Sequence, residues 1–265
     1  MTRFQAWHYP AIALVAAGCL FAEEKAVAPV APRPVGNSTL TPDEAYSKGL
    51  RWMIDSQNAD GSWGSFESAR PWEVMLGTTA SLHAFGDATT ALCVMSLLQP
   101  ATENLDAARA LERGIAYLLK SPVAERATGE VLYNTWTLIY VLDAMSAVAA
   151  DARFKKIHGE AKKVAKKQIG GLKTLQGADG GWGYYDFSFA ASHPTGSEST
   201  SFMTAAALMA IERARAVKID VPQSMIDDAL QSLSRLRLGD GAYVYGVYAQ
   251  YGPRRLYNRV NGSLG

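Results

Sequence analysis

One turn sequence occurs twice in this chain and constrains the fold more than any other feature. Residues 57–64 are QNADGSWG, residues 176–183 are QGADGGWG, and a weaker third copy, RLGDGAYV, covers 237–244. An Asp-Gly pair favours a tight turn, because glycine adopts positive φ without a steric penalty. A turn sequence that recurs along the chain with similar flanking residues indicates a structural repeat, here of about sixty residues. A decayed copy ends near Pro122, where the glutamine would stand.

A helix is predicted before the first turn. Thr41 is a candidate N-cap, Pro42 occupies the first helical position and Glu44 completes a capping box. The apolar residues that follow share one helical face: Tyr46, Leu50, Met53 and Ile54. A helix of this kind buries one side and exposes the other.

Each unit also contains a second helix that is apolar on most sides. The predicted capping residues and helices are Asp87 for 87–98, Asn134 for 134–149, and Ser199 or Thr200 for 199–213. Because a helix that is hydrophobic all round has to be buried, the amphipathic helices form an outer layer. The predicted fold is all-α, an α/α toroid or solenoid of helical hairpins with an inner and an outer ring. The repeat domain covers 40–265, with units at about 41–98, 103–149, 155–213 and 222–265.

The residues around the first turn resemble the QW motif of the squalene cyclases and of the wider prenyltransferase and squalene oxidase repeat family. The matching positions are Lys48, Gly49, Trp52, Met53, Gln57, Gly61 and Trp63. The second copy keeps Gln176, Gly180 and Trp182 but has Gly171 where an aromatic residue is expected. The third copy keeps Gly241 and has Tyr243 in place of the tryptophan. The resemblance covers roughly 40–265 and implies a toroid of the terpenoid cyclase type.

The resemblance also implies what the repeated turn does. In this family the Gln amide pairs with orphan backbone groups at a neighbouring helix end, and the Trp packs over it. A closed ring of this family contains more helix pairs than the three, and the first helix of a fourth, that we count here. We therefore expect the toroid to be incomplete in this chain, which would be a piece of a longer protein.

The cyclisation chemistry of this family depends on an aspartic acid in a DxDD motif, which protonates an alkene. The nearest string, MIDD at 225–228, has Met225 in the first position and lies on an amphipathic helix. Its two aspartates are therefore expected to be solvated. Aspartates that repeat in identical turns favour a structural role, and these are Asp60, Asp179 and Asp240. No catalytic residue is assigned.

Protein prenyltransferase β-subunits, which share the fold, bind zinc through Asp, Cys and His. Here Cys93 lies in an apolar run, with His83 and Asp87 shortly before it. The family's local pattern around those ligands is not visible, and a buried structural cysteine is the commoner case. We predict no metal site. No phosphate loop, serine elbow or HExxH motif occurs in the sequence, so no cofactor is predicted.

Aromatic residues are frequent after the second and third turns, in YYDFSF and YVYGVY. In the resembling family such segments lie at the mouth of a cavity, where ring faces stabilise cations. Simple packing of the loops is the alternative. The predicted ligand-binding residues are Asp87, Asn134 and Trp136 at helix starts and Tyr184, Tyr185, Asp186 and His193 after the second turn.

The first 22 residues have the pattern of an export signal. Arg3 precedes an apolar stretch that ends at Ala22 and is too short to span a bilayer. The string VAAGC, ending at Cys19, resembles a bacterial lipoprotein box. We predict a signal peptide over 1–22, a Pro/Ala-rich linker over 23–39, and an exported protein that is periplasmic, secreted or lipid-anchored. A lipid on Cys19 is the only membrane contact expected.

The formal net charge of +1 gives no support for binding to nucleic acid, which needs a clustered basic face. One lysine-rich run, at 154–168, is interpreted as the solvated face of a single helix.

Three functions are compatible with these features. The first is an exported repeat protein that binds an apolar or isoprenoid ligand, or a partner, without DxDD-type cyclisation. The second is a squalene-hopene-cyclase-like isomerase whose catalytic acid lies outside this sequence. The third is a polysaccharide-active enzyme on the same scaffold. The export signal favours the first and the third, and the missing DxDD motif weighs against the second.

Overall fold

The computed structural model describes residues 40–65, 67, 79–120, 133–184, 199–247 and 256–260. The chain divides into two compact units, 1–44 and 45–265, and the tertiary contacts given below lie within the second. The helices are α1 (Pro42–Asp55), α2 (Thr79–Leu97), α3 (Leu105–Lys120), α4 (Thr135–Ala150), α5 (His158–Leu175), α6 (Ser201–Ala216) and α7 (Gln223–Leu236). The remaining elements are 3-10 helices at Pro100–Thr102 and Ala152–Ile157 and strands β1 (Tyr243–Val247) and β2 (Leu256–Val260).

Helices α2, α4 and α6 form an inner layer. Helix α4 lies between the other two, packs against both and is buried on nearly every side, as its apolar sequence predicts. Each inner helix also packs against the outer helix that follows it: α2 against α3, α4 against α5, and α6 against α7. The predicted all-α fold of helical hairpins is confirmed. Within the described residues, no helix combines the length and the hydropathy of a membrane-spanning segment.

The outer helices approach the inner ones through small residues. Helix α5 buries Ala161 and Ala165 completely. A Cβ atom on Gly171 would lie 2.7 Å from the side chain of Leu138 on α4. The close contact between α4 and α5 therefore favours a glycine at the position where the motif would place an aromatic residue.

The start of α1 has the capping box that the sequence predicts. The backbone N–H of Thr41 donates to Oε2 of Glu44 at 2.8 Å, and the N–H of Glu44 donates to Oγ1 of Thr41 at 3.3 Å. These hydrogen bonds favour the charged carboxylate and lower the pKa of Glu44.

The first repeated turn is held by a glutamine amide. Nε2 of Gln57 donates to the carbonyl of Gly61 in its own turn and to the carbonyl of Ala110 on α3, both at 2.9 Å. In the second copy the same two bonds run from Gln176 to Gly180 at 2.7 Å and to Met225 at 2.8 Å. The expectation that the amide meets orphan groups at a helix end needs correction. Its partners Ala110 and Met225 lie inside α3 and α7, so the amide joins one outer helix to the body of the next.

The tryptophan of each turn joins it to two further helices. Nε1 of Trp63 donates to the carbonyl of Met53 on α1 at 2.7 Å, and its backbone N–H donates to Oγ1 of Thr90 on α2 at 2.9 Å. In the second copy the corresponding bonds run from Trp182 to Leu172 at 2.8 Å and to Thr204 at 3.1 Å. We call the Gln-Gly-Trp group, with these bonds, the turn clamp. One clamp holds two successive outer helices and the inner helix between them.

The predicted start of the first inner helix is wrong by eight residues. Oγ1 of Thr90 donates to the carbonyl of Gly86, as Oγ1 of Thr204 donates to that of Thr200, the N-cap of α6. Gly86 in α2 therefore corresponds to Thr200, the residue that precedes α6. Helix α2, however, extends about two turns further toward the N-terminus and begins at Thr79. Asp87 is thus an interior residue and not a cap. The segment TASLHAF contains no Pro or Gly to end the helix, so its residues simply extend it.

The other two inner helices begin close to their predicted starts. Helix α6 starts at Ser201, and the side chain of Thr200 accepts a hydrogen bond from the backbone N–H of Met203. Helix α4 starts at Thr135, but Asn134 makes no side-chain cap hydrogen bond. Thr200 therefore caps its helix as predicted, whereas Asn134 does not.

A short β-hairpin follows the third turn and was not predicted. Strands β1 and β2 are antiparallel, with Tyr243 opposite Val260 and Gly246 opposite Tyr257. Tyr243 therefore begins a strand, which the tryptophans of the other two copies do not. Isolated bridges also join Gly246 to Thr200 and Tyr243 to Arg237, so β1 lies beside the start of α6.

The second and third turns allow a test of why the clamp has a glycine, either for its positive φ or for close contact with the next helix. Gly180 and Gly241 have nearly the same positive φ, +86° and +85°, but a Cβ on Gly180 would overlap the carbonyl of Asp228 on α7. Nothing lies closer than 3.9 Å to a Cβ on Gly241. We expect Gly241→Ala to lower the free energy of unfolding by about 1 kcal/mol through φ alone, and Gly180→Ala by about 2–4 kcal/mol. Urea denaturation measures both, and equal losses would contradict a close contact between the second turn and α7.

Candidate functional site

Seven aromatic rings of the described residues form one continuous group, which we call the aromatic cluster. Its members are Phe85, Tyr133, Trp136, Tyr140, Tyr184, Phe202 and Tyr245. Neighbouring ring centroids are 4.8 to 6.4 Å apart, within the range of favourable aromatic pairs. Every member is partly buried, so the rings pack on one another and still keep accessible area.

The inner helices supply the centre of the cluster. Trp136 and Phe202 are each the second residue of an inner helix, α4 and α6, and their rings lie 6.0 Å apart. Tyr140 lies one turn further along α4, stacked on Trp136 at 5.1 Å with an interplanar angle of 9°. Because α4 and α6 are neighbours and begin side by side, the aromatic residues of their first turns lie close together.

The segments after the second and third turns complete the cluster. Tyr184 directly follows the second clamp, and its ring contacts four others, among them Phe202 at 5.7 Å and Tyr245 at 6.1 Å. Oγ1 of Thr135 donates to the Tyr184 carbonyl at 3.3 Å. Tyr245 comes from β1, and its hydroxyl is hydrogen-bonded to that of Tyr184. The hairpin thus carries one ring of the cluster to the start of α6.

The last two rings of the cluster are Phe85, which lies on the two extra turns of α2, and Tyr133, which contacts these turns. Phe85 lies on this extension, 4.8 Å from the ring of Tyr133. The backbone N–H of Tyr133 donates to Oγ of Ser81, also on the extension, at 3.1 Å. Tyr133 in turn stacks on Tyr184 at 5.5 Å. Without the extension, Phe85 and its contact to Tyr133 would be missing from the cluster.

An ion pair lies at one side of the cluster. Nε of Arg213 on α6 donates to Oδ1 of Asp143 on α4 at 2.5 Å. Burial, and secondarily the charge of Asp143, raise the pKa of Tyr140, one turn away. The Tyr140 hydroxyl is therefore kept neutral over the ordinary pH range.

Asn134 provides a polar group whose bonding is incomplete. Its side chain is only 6% exposed, and Oδ1 has no hydrogen-bond partner in the described part of the chain. Its neighbours in sequence, Tyr133 and Thr135, both contact Tyr184. A buried carbonyl oxygen without a donor is costly, and such atoms are usually satisfied by water or by a ligand.

The predicted ligand-binding residues divide into three groups. Trp136 and Tyr184 are in contact in the aromatic cluster, and Asn134 lies between two residues that contact Tyr184. Asp87 does not join them: it is 3% exposed and accepts a hydrogen bond at 2.9 Å from the hydroxyl of Tyr117, which joins α2 to α3. Three further predicted residues lie outside the described residues: Tyr185, Asp186 and His193.

Tyr245 was not among the predicted ligand-binding residues, although it lies in the aromatic segment noted after the third turn. Four further rings of the cluster were not predicted: Phe85, Tyr133, Tyr140 and Phe202. A signal was present for two of them. Phe202 holds the same position in α6 as Trp136 in α4, and Tyr140 follows Trp136 by one helical turn. The other two depend on the extension of α2, which the sequence pattern did not indicate.

Other candidate chemical groups lie away from the cluster. Asp227 and Asp228 of the MIDD string are exposed on α7, as predicted. Burial raises the pKa of Cys93 to about 11, which keeps its thiol protonated and makes it a poor nucleophile. Within the described residues, no three His, Cys, Asp or Glu side chains are grouped as metal ligands would be.

The sequence was compared with known proteins. Residues 36–258 match the family model described as the squalene-hopene cyclase C-terminal domain. A "probable squalene–hopene cyclase" of Sinorhizobium fredii is 28% identical over 233 residues, which cover 82% of this chain and 33% of that protein. The squalene–hopene cyclases of Zymomonas mobilis and Bradyrhizobium diazoefficiens are 25% and 28% identical over 83% of this chain, and again 33% of each relative is covered. The chain therefore spans about a third of the length of these relatives.

The raised pKa of Cys93 predicts slow alkylation in the folded protein. Its shift from 9.0 to about 11 lowers the thiolate fraction about a hundredfold at neutral pH, and the greater nucleophilicity of a more basic thiolate offsets roughly tenfold of this. In the Cys19→Ser variant, we expect iodoacetamide to react about tenfold more slowly with the folded chain than with the chain in urea. Reaction at equal rates would show that Cys93 is not held in an apolar environment.

Proposed function

Because the chain belongs to the squalene–hopene cyclase family, we propose that its aromatic cluster binds an apolar, isoprenoid-type ligand. The main support for this proposal is the continuous group of seven partly exposed rings. A hydrocarbon gains about 25 cal/mol for each Å² of apolar surface that leaves water. Flat rings on several elements offer such a surface at little cost in side-chain entropy.

The polar groups of the cluster suit a mainly apolar ligand. The described carboxylate beside it, Asp143, is already paired with Arg213, and the Tyr184 and Tyr245 hydroxyls bond to each other. The unpartnered Oδ1 of Asn134 could accept a hydrogen bond from one hydroxyl on the ligand. Among the described residues, these features support the proposed binding over glycoside hydrolysis, which commonly uses a pair of carboxylates.

The proposed binding does not include DxDD-type cyclisation. The nearest string places its two aspartates on the exposed side of an outer helix, away from the rings. A cyclase whose acid lies outside this sequence remains the alternative, supported by the family and by the affinity of ring faces for cations. Incubation with squalene of the natural protein that contains this sequence, together with any segment beyond it, followed by product analysis, separates the two. The proposal expects unchanged squalene, and formation of hopene would establish the alternative.

Ligand affinity should depend on the rings of the cluster and not on tryptophans elsewhere. Trp136→Ala removes the ring that contacts three others of the cluster, so we expect affinity for squalene, or for a long-chain tertiary amine, to fall about tenfold or more. The matched control is Trp52→Ala, because Trp52 is 71% exposed on α1 and belongs to no ring pair of the described residues. Fluorescence titration in dilute detergent measures both. An unchanged affinity of Trp136→Ala would refute the site.

We also propose that the protein is exported, on the basis of the N-terminal pattern alone. The charged start, the apolar stretch and the Pro/Ala-rich linker support this location. Expression of the full chain in a Gram-negative host should yield a mature form that begins at Glu23, or one that carries lipid on Cys19. Intact-mass measurement of the envelope fraction distinguishes the two forms, and Cys19→Ser should release the lipidated one. An unprocessed chain in the cytoplasm would rule export out.

A further inference from the structure

The junction between the outer helices α3 and α5 lacks the groups that form a turn clamp. Pro122 stands at the position of the clamp glutamine, Arg126 at that of its glycine and Thr128 at that of its tryptophan. Proline has no side-chain amide and threonine has no ring, so neither can make the bonds that Gln57 and Trp63 make. The middle of the repeat array therefore differs in its chemistry from the clamped junctions on either side.

A groove lies where a clamp at this junction would bond to α5. The first clamp bonds to Ala110, twelve residues before Pro122, and the second to Met225, twelve residues before the third turn begins. The same interval before the second turn leads to Val164 on α5. Val164 and further residues of α3 and α5 line a groove of about 780 Å³. This volume is within the usual range of small-molecule sites.

Four exposed lysines give this groove, which we call the lysine groove, a positive charge. They are Lys120 at the end of α3 and Lys163, Lys166 and Lys167 on α5. None of the four forms an ion pair with a described residue. The repeat does not require the three lysines of α5, because the corresponding positions hold other residues: Arg109, Glu112 and Arg113 on α3, and Ser224, Asp227 and Asp228 on α7.

The lysine groove also contains a buried acceptor without a donor. Gln168 lines it and is only 4% exposed, and its Oε1 has no hydrogen-bond partner in the described part of the chain. The corresponding residue of α3 is Gly114, where a Cβ atom would lie 2.7 Å from the ring of Trp63. Because the middle repeat has Thr128 in place of that tryptophan, α5 can hold an amide where α3 needs a glycine. A buried acceptor of this kind is usually satisfied by water or by a ligand.

We propose that the lysine groove binds a small, soluble phosphorylated sugar or polyol. The lysine ammonium groups donate charge-assisted hydrogen bonds to the phosphate oxygens. Oε1 of Gln168 and the carboxylate of Glu160, which also lines the groove, accept hydrogen bonds from the hydroxyls of the ligand. Cations and acceptors side by side thus match a molecule that carries both phosphate and hydroxyl groups.

A nucleic acid is a poorer match for the same groove. Recognition of single strands uses aromatic side chains on which the bases stack, and no aromatic residue is among the described residues that line the groove. Bidentate contacts to phosphate are made by arginine, whereas the cations here are lysines. None of these residues belongs to the aromatic cluster, so the proposal does not rest on the proposed function.

The test is isothermal titration calorimetry of the full chain with three probes. Fructose 1,6-bisphosphate carries phosphates and hydroxyls, pyrophosphate carries a comparable charge without an alcohol hydroxyl, and glucose carries hydroxyls without a charge. The variant is Lys163→Gln, Lys166→Gln and Lys167→Gln together. The control removes the same charge at other exposed sites, through Lys48→Gln, Arg51→Gln and Arg109→Gln.

We expect fructose 1,6-bisphosphate to bind about tenfold more tightly than pyrophosphate, and glucose to show no binding. The α5 triple variant should lose about a hundredfold in affinity for the bisphosphate, the control triple less than about threefold, and added salt should weaken binding of the unmodified chain. Equal loss in the two triples, pyrophosphate bound as tightly as the bisphosphate, or tighter lysine-dependent binding of RNA or of a short-chain phospholipid would each overturn the proposal. Circular dichroism checks that both triples are folded.

Gln168→Leu tests the recognition of the hydroxyl groups separately from the charge. This variant removes the buried acceptor and keeps the four lysines, so the preference for the bisphosphate over pyrophosphate should fall by about fivefold or more while pyrophosphate affinity stays the same. An unchanged preference would show that no hydroxyl is bound at Gln168 and would overturn the assignment of a phosphorylated sugar. If the variant does not fold, the comparison of the two probes on the unmodified chain decides the same point.

Discussion

The architecture depends on one primary amide that donates two hydrogen bonds. The Nε2 group of Gln57 or Gln176 has two N–H donors, and each copy gives one to its own turn and one to the next outer helix. Neither bond belongs to the hydrogen bonding within a helix or a sheet, and the second of them joins one outer helix to the next. The tryptophan of the same turn bonds to the helix before it and to the inner helix after it. One short turn thus fixes the relative positions of three helices.

The clamp also positions the aromatic cluster. The backbone of Trp182 bonds to Thr204, two residues after Phe202, so the second clamp sets the level at which α6 presents its first ring. Tyr184 follows the same tryptophan by two residues and lies at the centre of the ring contacts. The residues that hold the fold together and those proposed to bind a ligand therefore occur within a few positions of each other.

The features that the sequence predicted correctly depend on residues that are close together in the chain. The capping box at Thr41, the positive φ of Gly61 and Gly180, and the burial of α4 all follow from short stretches of sequence. The strand at Tyr243 does not, because it pairs with segments far away in the chain. The start of α2 at Thr79 was missed although no Pro or Gly in 79–85 ends the helix. The cluster was only partly predicted because, as with the strand, its contacts join separate segments, here five of them. The lysine-rich run is largely exposed as predicted, but it does not form a single helix, because Lys155 and Lys156 belong to the 3-10 helix before α5.

The extra length of α2 adds a ring to the aromatic cluster without moving the residue that the first clamp binds. Its two additional turns carry Phe85 to the ring cluster, while the threonine that the first clamp binds, Thr90, stays in register with Thr204. The amino end of an inner helix can thus differ in length without a shift of the threonine that the clamp binds. A change of one helical turn at this end can therefore alter which rings meet at the proposed site while the clamp stays in place.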